Sequence, residues 1–268
     1  MAGVRRTWAC ALVAVLLAAG GGAAAGCGAA ATPGPDGTEA QQLRVEVLEV
    51  RPHDPASFTQ GFELAGGVLY EGTGLAGQSA MLATDPVTGR ILRRVELPAP
   101  LFGEGITVAG ARLWQLTWTD GVAIERDLAT LAQRRRVPYE GEGWGLCHDG
   151  SRLVMSDGTD RLTFRDPTTF APVGEVRVHN AGSQVRDLNE LECAGGAVYA
   201  NIWKTDRIAR IDPATGAVTA IVDASGLLPD AERRHADVLN GIAAIPGTDE
   251  FLLTGKRWPH TYRVKFTP

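Results

Sequence analysis

The stretch FGEGITVAGARLWQLTW, from Phe102 to Trp118, contains the pattern that the rest of the chain repeats. Glu104 stands between two glycines and is followed by an apolar run, a tight turn at Gly110 and a second apolar run. Two short apolar runs around a glycine turn predict a β-hairpin. Because a hairpin brings its two ends together, we expect Glu104 and Trp118 to lie side by side.

Four further segments share this spacing, so the hairpin is one member of a repeat. They open at Gln60, Trp144, Asn189 and Asn240, and they end near Gly74, Gly158, Trp203 and Lys256. The five starts are 40 to 51 residues apart. That distance is the period of a four-stranded propeller blade.

A second repeating pattern lies between the hairpins and supplies two outer strands for each blade. It reads strand, Asp-led turn, strand, in the segments ATDPVTGRILRRVEL, ERDLATLAQRRRVPY, FRDPTTFAPVGEVRV and RIDPATGAVTAIV. Aspartate favours such turns because its side chain bonds to the backbone amides that follow. Five units of this kind predict an all-β fold, a five-bladed β-propeller.

The ends of the chain provide the strands that the fifth blade lacks. The segment 43–50 alternates apolar and polar residues, and the segment 261–266 supplies only one outer strand after the last hairpin. We expect the two segments to pair, because joining the N- and C-terminal strands in one blade removes an open sheet edge.

The N-terminus has the features of an export signal. Arg5 and Arg6 precede a short run of apolar and small residues, and Cys27 follows a small-residue cleavage motif. We interpret residues 1–26 as a lipoprotein-like signal peptide, residues 27–42 as a flexible tether and residues 43–268 as the propeller catalytic domain. The protein is therefore expected to be extracytoplasmic, either lipid-anchored at the cell envelope through Cys27 or secreted.

Charge and cysteine content narrow the function classes. Removing Arg5 and Arg6 lowers the 26 basic residues to 24 against 31 acidic residues, a net charge of −7. This balance argues against a nucleic-acid partner, and we expect a monomer. Cys147 and Cys193 remain after cleavage; export permits a disulfide, and two buried thiols are the alternative.

The repeat register collects chemically useful side chains at one mouth of the predicted propeller. First and last positions of the repeats contribute one carboxylate, carboxamides, indoles and one ammonium group, namely Glu104, Gln60, Asn189, Asn240, Trp118, Trp144, Trp203 and Lys256. Apolar walls with a few polar groups are typical of a small-molecule pocket. The aromatic residues at position eleven are expected instead to pack between blades; they are Tyr70, Trp114 and Tyr199.

This inventory excludes several reaction classes. Sugar hydrolysis generally needs two facing carboxyls, and the mouth has one, with Glu71 and Glu190 one place out of register. The five histidines show no metal-binding spacing, and no nucleophile elbow or phosphate loop is present. A glutamate walled by tryptophans has a raised pKa, so Glu104 is suited to transfer a proton to and from an amide-like substrate.

Ten ordered motifs carry a resemblance to a known family. They are FTQGFEL, LYEGTG, FGEGIT, LWQLTW, EGWGLCHDG, LVMSDG, LNELE, VYANIW, LNGIA and TGKRWP. Together they resemble the glutaminyl-peptide cyclotransferases of the plant and bacterial type. The resemblance implies a propeller enzyme of the aminoacyltransferase class that needs no metal and no other cofactor. It implies conversion of the N-terminal glutamine of peptides or proteins to pyroglutamate, with release of ammonia.

The resemblance also implies a role for each matching side chain. Glu104 is expected to be the general acid/base, and Lys256 to assist it by stabilising an oxyanion. The implied substrate-binding residues are Gln60, Trp118, Trp144, Asn189 and Trp203. Two alternatives remain from the residues alone: a propeller binding module without catalysis, and a five-bladed glycoside hydrolase.

Overall fold

The structure, a computed structural model, describes residues 39–268. The predicted signal peptide, Cys27 and the tether as far as residue 38 lie outside the described residues. Within residues 39–268, no helix is long and apolar enough to cross a membrane.

Five blades of four antiparallel strands account for nearly all the strands. Blade 1 contains β2 (Thr59–Ala65), β3 (Val68–Thr73), β4 (Ala80–Thr84) and β5 (Ile91–Glu96). Blade 2 contains β6 (Gly103–Ala109), β7 (Arg112–Thr117), β8 (Val122–Asp127) and β9 (Gln133–Pro138). Blade 3 contains β10 (Leu146–His148), β11 (Leu153–Ser156), β12 (Arg161–Arg165) and β13 (Pro172–Arg177).

The last two blades follow a two-stranded ribbon of β14 (His179–Asn180) and β15 (Ser183–Gln184). Blade 4 contains β16 (Leu188–Ala194), β17 (Ala197–Ile202), β18 (Arg207–Ile211) and β19 (Val218–Asp223). Blade 5 contains β20 (Leu239–Ala244), β21 (Glu250–Gly255), β22 (His260–Thr267) and the N-terminal strand β1 (Gln41–Pro52). The prediction of an all-β, five-bladed propeller is confirmed.

Strand β1 closes the ring, as the sequence predicts. It pairs antiparallel with β22, from Arg44 opposite Thr267 to Pro52 opposite His260. Its first residues also pair in parallel with β19, which joins blades 4 and 5 into one eight-stranded sheet. This second pairing explains why the strand begins at Gln41, inside the predicted 27–42 tether.

The hydrophobic core lies between the blades. Inner and middle strands are buried, whereas the outer strands β5, β9 and β13 are largely exposed. Trp114 of blade 2 is fully buried against Phe170 of blade 3, with ring centroids 4.9 Å apart, and its indole donates to the carbonyl of Pro167. Tyr199 packs likewise on Phe251 of the next blade. The predicted interblade role of these aromatic residues is confirmed.

The Asp-led turns join the two outer strands of each repeat. In blade 1, the Asp85 carboxylate accepts from the backbone amides of Val87 and Thr88 and from the Thr88 hydroxyl. Asp166 makes the same three bonds at the corresponding turn of blade 3. These bonds hold the turn within its own segment, and the neighbouring blade adds to them, as the Trp114 indole does at the carbonyl of Pro167.

Glycines let the inner strands of adjacent blades approach closely. A Cβ on Gly105 would lie 2.6 Å from the carbonyl oxygen of Trp144 in the next blade. A Cβ on Gly145 would lie 2.1 Å from the carbonyl oxygen of Asn189. The glycine that follows the first position of these repeats is therefore required by contact between blades.

A disulfide joins Cys147 of β10 to Cys193 of β16. It links the inner hairpins of blades 3 and 4, whose Cα atoms lie 5.4 Å apart at this point. The structure therefore contains the disulfide and not the two buried thiols that were its alternative.

Candidate active site

A β-bulge lies at the start of four of the five inner hairpins. Three of the bulges contain a residue of the predicted site, and the fourth contains Asn240. In blade 2, Gly103 pairs with Thr117 and Ile106 with Gln115, so Glu104 and Gly105 together oppose one residue. The same shift occurs at Gln60, at Asn189 and at Asn240. A bulge re-aims the side chain that it contains, which explains how Gln60, Glu104 and Asn189 point to the mouth and not along the regular pleat.

The structure brings all seven predicted site residues to one cavity of about 330 Å³. They are Gln60, Glu104, Trp118, Trp144, Asn189, Trp203 and Lys256. The other lining residues are Phe58, Phe102, Lys204, Asp237 and Val238. Asn240, which the register also placed at the mouth, is fully buried and does not line the cavity.

One local expectation is wrong. Glu104 and Trp118 are not cross-strand neighbours, because the Trp118 amide donates to the carbonyl of Phe102 at 3.0 Å. Near the turn, Ile106 pairs with Gln115, a register that by itself would place Glu104 opposite Thr117. The bulge then shifts the pairing by one further residue, so that Gly103 lies opposite Thr117.

Glu104 is the buried acid of the cavity, with 5% of its surface exposed. Burial raises the pKa of Glu104 well above its usual value; the charge of Lys256 opposes this rise and the charge of Glu142 adds to it. Burial also lowers the pKa of Lys256, against the attraction of Glu104 and Asp237. Both shifts favour the neutral forms, so this pair is poised to exchange protons with a bound substrate.

A chain of carboxamides fixes the orientation of Glu104. The Gln60 Nε2 atom donates to the Glu104 Oε1 atom at 2.9 Å. The Asn240 Nδ2 atom donates to the carbonyl of Thr59 at 2.9 Å and approaches the Gln60 Oε1 atom at 3.4 Å. Asn240 therefore directs the amide nitrogen of Gln60 toward the carboxyl, although it does not touch the cavity.

Asn189 presents an unused acceptor. Its side chain is 3% exposed, and its Oδ1 atom is buried with no hydrogen-bond partner among the described residues. A buried polar atom without a partner is costly unless a ligand completes it. Because Asn189 lines the cavity, an N–H donor of the ligand is the partner that this site lacks.

Three aromatic pairs form the walls. Phe58 meets Phe102 and Phe102 meets Trp118, with centroids 6.4 and 5.6 Å apart. Trp144 meets Trp203 edge to face at 5.3 Å. A ligand held between these walls is shielded from water, which strengthens its polar contacts to the few groups at the base of the cavity.

Comparison with known proteins identifies the family. The family model described as glutamine cyclotransferase matches residues 15–266. The glutaminyl-peptide cyclotransferase of Arabidopsis thaliana is 39% identical over 226 residues, covering 82% of this chain and 71% of that protein. The chain belongs to the glutamine cyclotransferase family.

A solved structure of a glutaminyl cyclase shares the fold of this chain. The crystal structure of Myxococcus xanthus glutaminyl cyclase superposes with a TM-score of 0.80 at 38% identity, covering 85% of this chain and 99% of that chain.

Several side chains of the cyclotransferase cavity were missed by the sequence reasoning. Phe58 and Phe102 each stand two residues before a predicted polar residue, and this shared F-x-Q and F-x-E spacing is a signal that could have found them. Glu142 lies in the loop before Trp144 and accepts hydrogen bonds from two cavity indoles. No repeat position indicates Glu142 or Asp237, because both lie in loops between blades.

The two glutamates one place out of register serve the cyclotransferase fold. Glu71 accepts from the Thr59 hydroxyl at 2.7 Å and contacts the His53 Nε2 atom at 3.1 Å. Glu190 accepts from the backbone amides of Phe62 and Ile242, which belong to blades 1 and 5. Neither residue lines the cavity, so Glu104 is the one glutamate among the described lining residues of the cavity. Among residues 39–268, no group of three or more His, Cys, Asp or Glu side chains is arranged to hold a metal ion.

Proposed function

We propose that this protein is a glutaminyl-peptide cyclotransferase that converts the N-terminal glutamine of peptides to pyroglutamate by metal-independent general acid/base catalysis. The observation that carries the proposal is a buried Glu104 with a raised pKa, in an aromatic cavity, hydrogen-bonded to Gln60 and facing Lys256. The family membership and the cyclotransferase relatives support the reaction type.

The reaction begins with positioning of the glutamine side chain. The indoles of Trp118, Trp144 and Trp203 enclose its methylene groups, and the free Asn189 Oδ1 atom accepts an N–H of its carboxamide. Because the amine and the carboxamide belong to one residue, the cavity needs only to select the folded conformer in which they meet.

Proton transfer through Glu104 completes the reaction. The substrate α-nitrogen attacks the side-chain carboxamide carbon, and Glu104 accepts the proton that this nitrogen loses. Lys256 stabilises the oxyanion of the tetrahedral intermediate. Glu104 then returns the proton to the leaving nitrogen, the carbon–nitrogen bond breaks, and ammonia and the five-membered lactam are released.

The test is incubation with a Gln-initiated dipeptide, following ammonia release and the loss of one ammonia from the peptide mass. We expect turnover by the unaltered protein with and without a chelator, none on an Asn-initiated dipeptide, and loss of turnover in Glu104→Gln. Peptide binding without turnover would favour the binding module, and saccharide cleavage would favour the glycoside hydrolase. Turnover that the chelator abolishes would contradict metal independence.

We propose further that the chain acts outside the cytoplasm on exported peptides or proteins. The disulfide between Cys147 and Cys193 supports an oxidising compartment, and the N-terminal sequence supports export with lipidation at Cys27. Cell fractionation of the unaltered chain and of Cys27→Ser tests this. Lipidation predicts membrane association that the substitution abolishes, and recovery of both chains in the cytoplasm would contradict export.

A further inference from the structure

One carboxylate outside the proposed catalytic set joins two walls of the cavity. The Oε2 atom of Glu142 accepts from the Trp118 Nε1 atom at 2.7 Å and from the Trp144 Nε1 atom at 2.9 Å. Trp118 follows the inner hairpin of blade 2, and Trp144 precedes the inner hairpin of blade 3. A single oxygen therefore fixes two indoles that come from different blades.

The indole of Trp118 needs this anchor because little else holds it. Trp118 is 41% exposed, and its ring packs on Phe102. Trp144 is better held, since its ring lies against Gly158, where a Cβ would approach within 2.7 Å of it. Because both indoles donate to one carboxylate oxygen, Glu142 couples the exposed ring of Trp118 to the better-packed ring of Trp144.

The backbone of the same loop reinforces the connection. The amide of Gly143 donates to the carbonyl of Trp118 at 2.9 Å, which places the neighbouring Glu142 beside the indole. Glu142 itself is exposed, so no packing requirement accounts for a carboxylate at this position.

The charge of Glu142 also acts on the acid at the base of the cavity. Both of its donors are neutral indoles. The groups that bear on Glu104 are the Gln60 amide, which donates to it, the Lys256 ammonium, which lowers its pKa, and the Glu142 carboxylate, which raises it. The Tyr139 hydroxyl, whose pKa is raised by burial and also by the Glu104 charge, donates to the carbonyl of Thr117. Two further charged side chains, Lys204 and Asp237, line the cavity.

We propose that Glu142 is a positioning residue for the cyclisation. It holds Trp118 and Trp144 in the orientation that encloses the substrate glutamine, and it places a second negative charge at the rim above Glu104. This inference rests on the proposed function. It adds an electrostatic and orienting role for a loop residue that does not touch the reacting atoms.

Two substitutions separate the two effects. Glu142→Gln keeps one oxygen that can accept both indole N–H groups but removes the charge. We expect its KM for a Gln-initiated dipeptide to stay within about two-fold of the unaltered value, while the acidic limb of the pH–rate profile moves to lower pH, because loss of a nearby negative charge lowers the pKa of Glu104. Glu142→Ala removes both effects, and we expect KM to rise about five-fold as well.

The matched control is Glu140, an exposed glutamate two residues earlier in the same loop. Glu140→Gln and Glu140→Ala are expected to leave both KM and the pH–rate profile unchanged. Near-ultraviolet circular dichroism reports the indole environment independently of turnover, and we expect it to change in Glu142→Ala and not in Glu142→Gln.

The outcomes distinguish this inference from the function on which it rests. Normal turnover of the unaltered protein, with Glu142 variants that match the Glu140 variants in KM, pH profile and dichroism, overturns the positioning role alone. An equal rise of KM in Glu142→Gln and Glu142→Ala overturns the part assigned to the indole bonds. Absence of turnover in the unaltered protein overturns the proposed function and this role with it.

Discussion

At the scale of single residues, the chemistry depends on how the cavity changes the acidity of Glu104. Its carboxyl is buried, receives one hydrogen bond from Gln60 and faces one cation, Lys256. This combination favours a proton carrier over a permanently charged group. It also makes Glu104 a source of instability at neutral pH, as expected of a catalytic group.

We predict that Glu104→Gln lowers kcat about 100-fold or more, since proton transfer by a positioned side chain contributes that much. KM should change little, because the amide has the same shape as the carboxylate.

We expect the activity of the unaltered protein to rise as pH increases through the raised pKa of Glu104, because this carboxyl must be ionised to accept the proton. Steady-state kinetics over pH 4 to 9 measures this, with the exposed Glu175→Gln as control. If Glu104→Gln retained activity and its pH–rate profile kept the acidic limb of the unaltered protein, Glu104 would not be the group that accepts the proton.

We also predict that Glu104→Gln melts at a higher temperature than the unaltered protein at pH 8. The folded-state pKa of this carboxyl is raised, so the unfolded chain loses its proton first and stability falls as pH rises above the unfolded value. The neutral amide does not incur this loss. The difference in melting temperature should disappear near pH 4, where the carboxyl is protonated in both states. An equal or lower melting temperature at pH 8 would exclude burial as the dominant cause of the shift.

At the scale of elements, some features of the inner hairpins follow from neighbouring residues in the sequence, and others depend on how two strands pair. Their glycine turns and alternating apolar residues are visible in the sequence. The bulges at Gln60, Glu104, Asn189 and Asn240 are not, because a bulge is defined by the pairing of two strands. The sequence therefore predicted seven of the residues that line the cavity, but it wrongly added Asn240. It also placed Glu104 opposite Trp118 when Phe102 occupies that position.

We predict that Gly145→Ala destabilises the propeller by about 3 kcal/mol, because the added methyl group would overlap the carbonyl of Asn189 in the next blade. Gly182→Ala is the comparison: its Cβ meets nothing within 4 Å, and only the cost of its positive φ, about 1 kcal/mol, is expected. Urea unfolding measures both. Equal losses of unfolding free energy in the two variants would show that contact between blades is not the reason for a glycine at position 145.

We predict that removing the disulfide with Cys147→Ala and Cys193→Ala together lowers the free energy of unfolding by about 2 to 4 kcal/mol, since the bridge closes a long loop of the unfolded chain. The bridge spans 46 residues and joins two blades. Reductant should lower the melting temperature of the unaltered protein and leave that of the double variant unchanged. A melting temperature of the unaltered protein that is insensitive to full reduction would contradict a stabilising role.

At the scale of the whole molecule, the ring is held closed by the first described strand. Strand β1 pairs with both β22 and β19.

His53 follows β1 and ties the closing segment to blade 1. Its Nδ1 atom contacts the carbonyl of Trp258, and its Nε2 atom contacts the Glu71 carboxylate. Burial is the largest influence and lowers the pKa of His53. The charge and hydrogen bond of Glu71, the carbonyl of Trp258 and the charge of Asp54 together outweigh burial and raise the pKa. Below its unfolded pKa this pair stabilises the fold, and the contribution is lost as pH rises through the folded value.

We predict that a chain beginning at residue 53 does not unfold cooperatively, whereas a chain beginning at Glu39 does. Loss of β1 exposes the edge of β22 and leaves blade 5 with three strands. Circular dichroism melting of the two chains measures the difference. A sharp transition in the shorter chain would show that the propeller closes without its N-terminal strand.

The sequence by itself determined the five four-stranded blades, the blade period, the pairing of the terminal segments and seven of the side chains at the mouth, although it also placed Asn240 there. These follow from local patterns that repeat in the chain, namely alternation, glycine turns and Asp-led turns. Only the tertiary structure decided the four bulges, the orienting bond of Asn240, the disulfide and the bridge from Glu142 to two indoles. Each of these depends on two or more segments that are far apart in the chain, and no local periodicity records how such segments meet.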